Sequence, residues 1–118
     1  MCPISRREYK ANIAYLTEEE ARRLHDELMR FRLASYQYKA VPDDRTHLGF
    51  IIDDVGPSPS VDGTGDRVDL YGYTSIAVAA LQTQARQIEA LKKEVETLRQ
   101  ELDVKRVASR PRRIRRTK

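Results

Sequence analysis

The sequence predicts an α+β fold: a small body of helix and β-hairpin, followed by one long C-terminal coiled-coil helix. Three observations carry this. Thr17-Glu-Glu-Glu20 has the form of a helix-capping box. Residues 33–55 alternate and turn like paired strands. From Ile76 to about Lys105 there is no Pro or Gly, and apolar residues recur at sevens. The domain boundaries follow: a body over 1–75, a coiled-coil helix over 76–105 and a basic tail over 106–118.

After the Thr17 cap, Leu24, Leu28 and Phe31 fall at helical spacing, so a helix is expected over about Glu18 to Phe31 with one buried stripe. The acids of its first turn suit the positive end of the helix dipole. In LASYQYKAV, Tyr36 and Tyr38 share one face of a strand. PDDRTH turns the chain, and LGFIIDDV returns as the second strand. Asp53 and Asp54 then point to opposite faces of that strand end, as two solvated acids rather than a metal site. GPSPSVDGTGD is a loop of turn-forming residues, and RVDLYGY is a short extended piece. Thr74 or Ser75 is the expected cap of the last helix.

Within that helix Leu81, Ile88, Val95 and Leu102 occupy the a positions of a heptad, and Gln84, Leu91 and Leu98 the d positions. Glu94 at g and Arg99 at the following e are spaced for an ion pair between chains. Gln84 is a polar layer that can fix register. A seam this narrow favours self-association over packing on the chain's own body.

Composition narrows the function classes. One cysteine, Cys2, forms no internal disulfide, and no residues have metal-ligand spacing. The longest apolar run, Ile76–Leu81, is too short to span a bilayer. A soluble protein without cofactor, metal or membrane contact is expected. The net charge of +4 conceals a split. Residues 105–118 hold eight of the 22 basic residues and no acid, and the other 104 carry 14 bases against 18 acids. Arg110, Arg112, Arg113, Arg115 and Arg116 are therefore candidates to neutralise the phosphates of a nucleic acid, or an acidic partner. A solvated, disordered tail after about Ala108 is the simpler expectation. The charge split alone supports a non-enzymatic coiled-coil adaptor.

The order of segments carries a more specific reading. SRREYKANI precedes the first helix, SYQYK and HLGFIIDDV follow it, and VDLYGYTSIAVAALQ leads into the coiled coil. Over about residues 5–102 this resembles the C-terminal intramolecular chaperone domain of phage tailspikes and tail fibres, the endosialidase type. It is similar to the self-cleaving domain of some membrane-bound proteins as well. The resemblance implies a trimerisation and assembly chaperone that stands behind a fibrous domain and cuts the chain just before its own serine. It implies Ser5 as nucleophile, Lys10 as general base and His47 as the family's histidine ahead of the GFI strand. A Ser–Lys serine peptidase would thus act once, in cis, between Ile4 and Ser5. The partners implied are two further copies of the chain and an upstream fibre. The place of action would be the cytoplasm of the producing cell during assembly, then a virion tail fibre or similar appendage. Three departures stand against it. Arg6 replaces the family's acid or amide after the serine, and Asp53 replaces a neutral amide. Only Met-Cys-Pro-Ile stands before Ser5, so the sequence reads either as a module of a longer chain or as a copy that no longer cleaves.

Overall fold

A computed structural model describes residues 4–110. The chain is α+β. A single 3-10 turn, Arg7–Tyr9, comes first, then helix α1 (Glu18–Met29) and the strands β1 (Leu33–Tyr36) and β2 (His47–Phe50). A short helix α2 (Ile52–Val55) and a long helix α3 (Leu70–Ala108) follow. The strands form one antiparallel pair, with Leu33 opposite Phe50 and Tyr36 opposite His47. Two compact units are distinguished, Met1–Thr83 and Gln84–Lys118.

The start of α1 follows its sequence. Thr17 Oγ1 accepts from the Glu20 backbone N–H at 3.1 Å, and Glu20 reaches back to the Thr17 N–H at 3.5 Å. Two of the helix's orphan donors are satisfied in this way.

The expected strands are cut short by local bonds. Asp44 accepts the Tyr38 N–H at 2.8 Å, the donor a longer ladder would have used. Gln37 Nε2 donates to the Asp44 carbonyl at 2.7 Å, so the chain bends away after Tyr36. On the other side, Asp53 and Asp54 lie in α2 and not on a strand. Asp is a poor strand residue. The turn is closed by Gly56, whose φ of 74° at the C-cap suits glycine. The opposite-face argument for the two acids therefore does not apply.

The piece expected to be extended before α3 contributes one bridge, Val61 to Val68. Helix α3 starts at Leu70, ahead of the expected Thr74 or Ser75 cap, because Asp69 Oδ1 accepts the Gly72 N–H at 2.8 Å. Thr74 lies inside the helix and donates to the Leu70 carbonyl. The helix runs past Lys105 to Ala108.

The core of the first unit is small and partly aromatic. Phe50 is buried, and its ring lies 4.9 Å from that of Phe31 and 5.0 Å from that of Tyr73. Ala21, Ile76, Ala79 and Ala80 complete the buried apolar set. Small residues on α3 let neighbouring groups approach closely. A side chain at Gly72 would run into the Pro59 carbonyl oxygen. Ser60, beside it in the loop, is fully buried, and its hydroxyl has no hydrogen-bond partner.

Candidate functional site

Two clusters in the first unit contain the residues singled out by sequence. The first is local. Arg6 is extended (φ −73°, ψ 147°), and the turn behind it is held by Tyr9 N–H to Arg6 O at 3.0 Å and Lys10 N–H to Arg7 O at 3.1 Å. This turn folds residue 10 back over residue 5. Lys10 Nζ donates to Ser5 Oγ at 2.8 Å. A second bond closes a wider loop: Arg7 Nη2 donates to Tyr15 Oη at 2.9 Å. Asn12, inside that loop, takes the left-handed conformation with φ 54°, which Asn tolerates better than most residues. Arg6 and Glu8 approach to 3.9 Å, but both are well exposed, so this pair contributes little.

A lysine amine hydrogen-bonded to a serine hydroxyl is the geometry of a base beside its nucleophile. In the single chain both groups are exposed. A lysine is a base only when neutral, and removal from water favours the neutral form. The pair is in hydrogen-bond contact with Lys10 as the donor.

The second cluster is built on the hairpin. His47 Nε2 lies 3.0 and 3.2 Å from the two carboxylate oxygens of Asp44. Tyr36, opposite it on β1, stacks against its ring at 5.5 Å, and Tyr38 meets it edge-on at 5.0 Å. The Tyr36 and Tyr38 hydroxyls stand 3.4 Å apart. The Tyr38 N–H holds the Asp44 carboxyl below its ordinary range; burial opposes this, and the bond to His47 adds to it. The hydroxyl contact with Tyr38 pushes Tyr36 upward, with burial in support. Among the described residues the hydrogen-bond partner of His47 is Asp44, and no bond joins it to Ser5 or Lys10. Within one chain, then, His47 pins the hairpin's turn.

The heptad residues form a third feature, outside the first unit except for Leu81. Ile88, Leu91, Val95, Leu98 and Leu102 are each about half exposed on α3. Ile88, Leu91 and Val95 line a shallow groove of about 440 Å³ with Lys92, Glu96 and Arg99. Leu81 is exposed as well, and Gln84 is half-buried. Arg110 is exposed at the end of α3, while Arg112, Arg113, Arg115 and Arg116 lie outside the described residues. Among the described residues no helix is long and apolar enough to cross a membrane.

Sequence reasoning missed Asp44, Arg7 and Tyr15. An acid three residues before a histidine in a turn was a signal for Asp44. No comparable signal marks the Arg7–Tyr15 bond, which spans eight residues of irregular chain. Comparison with family models, curated proteins and solved structures returned no match.

Proposed function

We propose that this chain is a trimerisation and assembly chaperone module of the tail-fibre type, which releases itself by cutting between Ile4 and Ser5. The observation that carries it is the 2.8 Å contact between Lys10 Nζ and Ser5 Oγ. The exposed heptad face of α3 supports the self-association.

In the proposed reaction Ser5 Oγ attacks the Ile4 carbonyl carbon while Lys10, as the neutral amine, takes the hydroxyl proton. The proton passes to the Ser5 nitrogen as the C–N bond breaks. The Ile4 acyl group is then held as an ester on Ser5 Oγ. Water hydrolyses that ester, leaving the Ile4 carboxylate and a free Ser5 amine. Association of copies supplies the dry surroundings, so cleavage follows assembly.

The test is a fusion with a folded fibre-forming segment ahead of Ile4. Mass spectrometry of the assembled product should show a cut before Ser5. Ser5→Ala and Lys10→Ala should stay whole while the oligomer persists. An assembled parent that remains intact over days overturns the peptidase. If Arg6→Asp then restores cleavage, the chaperone architecture stands and Arg6 is the cause of the loss.

A second reading rests on the eight basic residues of 105–118. It makes the chain a non-enzymatic coiled-coil adaptor whose tail binds nucleic acid or an acidic partner. Binding to arbitrary DNA that weakens steeply with salt supports it, and no binding at low salt removes it.

A further inference from the structure

Two surfaces of the first unit complement one another. The first is the segment around the Ser–Lys pair. Ile4, Tyr9 and Tyr15 are 68%, 59% and 78% exposed, and Arg6, Arg7 and Lys10 outnumber the one acid, Glu8. The hydrogen bonds of its side chains, Lys10 to Ser5 and Arg7 to Tyr15, stay inside the segment. The second is an open cavity of about 680 Å³ between the hairpin and the loop before α3, lined by Tyr36, Tyr38, Phe50, Asp53, Asp66 and Arg67 among others. Residues 33–69, which contain it, hold seven acids against Lys39, Arg45 and Arg67. An exposed basic and aromatic segment thus faces the outside, and an acidic, aromatic-walled cavity on the same molecule stands open.

We infer that the segment 4–16 of one copy docks in this cavity on the next copy. The occupant is a second copy because the α3 seam would hold copies together at high effective concentration, where modest surfaces find each other. The inference rests on that self-association. One patch on each chain meets a different patch on its neighbour, an exchange that a ring of copies or a reciprocal two-fold pair can make. Docking takes Ser5 and Lys10 out of water beside a neighbour's Tyr36 and Tyr38.

The test uses the whole chain with Tyr9 replaced by the photo-crosslinker benzoylphenylalanine, which keeps an aromatic group in place. Normal and 15N-labelled chains are mixed, refolded together and irradiated, and the linked peptides are read by mass spectrometry. Sedimentation of the same sample gives the oligomer mass. Links between one light and one heavy chain, mapping to residues 36–38, 50–53 or 65–68, are expected. Asp53→Lys with Asp66→Lys should cut their yield at least fivefold while the oligomer mass persists. A monomer mass overturns both the docking and the self-association. An oligomer whose links are absent, lie within one chain or map elsewhere overturns the docking alone. Undiminished yield in the lysine variant overturns it too.

Discussion

The two units of this chain use apolar residues in opposite ways. In the first, Phe50 is 7% exposed and closes on the rings of Phe31 and Tyr73. In the second, Ile88, Leu91, Val95, Leu98 and Leu102 stand in a regular row, each about half exposed. The first gathers a small aromatic cluster into a core, while Ile4, Tyr9, Tyr15 and Leu48 stay exposed. The second has a helix's internal hydrogen bonds and no tertiary burial for its apolar row. Helix stability comes mainly from packing of an apolar face rather than from propensity. The difference teaches that one kind of residue closes a buried cluster in the first unit and stands half exposed in a regular row in the second.

The sharpest way to break this contrast is at the heptad face. Leu91→Asp with Leu98→Asp removes two apolar contacts and puts unpaired charges in a dry seam. The oligomer should dissociate, with its apparent affinity lowered by at least about a thousandfold, or roughly 4 kcal/mol. Sedimentation equilibrium at micromolar concentration measures it. The near-ultraviolet signature of the first unit's tyrosines should change far less.

The mirror experiment is Phe50→Ala. Loss of a buried aromatic costs about 3–5 kcal/mol, and the first unit should melt at a much lower temperature. Calorimetry of the double Leu91/Leu98 variant carrying Phe50→Ala would show whether the effect needs association at all. A smaller change sharpens the picture at α1. Thr17→Ala deletes the capping box and should cost about 1 kcal/mol, visible as a shift in the urea midpoint with no change in oligomer mass.

The smallest expected effect is electrostatic. The carboxyl of Asp44 is held low chiefly by the Tyr38 N–H, so its contribution is fully present above the ordinary Asp value of about 3.9. It is lost as pH falls through the lower value of the folded state. Asp44→Ala should therefore be less stable than the parent at pH 6, and the gap should close as the pH falls through the lowered value of the folded state. An unfolding series across that range, followed by circular dichroism, checks the sign.

What could be read from the sequence was what depends on short, regular spacing. Thr17 and Glu20 are three residues apart, and that alone specifies a box. The heptad needs only a count of seven. The strand ends needed something else, the side chain of Asp44 capturing a backbone donor six residues away. The start of α3 was hidden because RVDLYGY has strand-like residues, and only the placement of Asp69 under Gly72 shows which state wins. Of the candidate site, the Ser5–Lys10 pair was legible only through a resemblance across segments. The 3-10 turn that joins the two has no distinctive composition. His47 was visible as a residue, but its partner on the hairpin was not, since that depends on how the turn folds.

Gly72 has an implication for how this sequence could change over time. Its Cα is backed by the Pro59 carbonyl, leaving no space for even one methyl group. The loop 56–68 and the first turn of α3 are thus locked as a matched pair. A drifting sequence could exchange exposed positions such as Tyr71 or Ser75 freely. It could replace Gly72 only by reshaping the loop in the same step. Saturation mutagenesis should find a single tolerated residue at 72 beside a permissive site at 71, and homologous loops of another length should be accepted only when transplanted together with their own helix start.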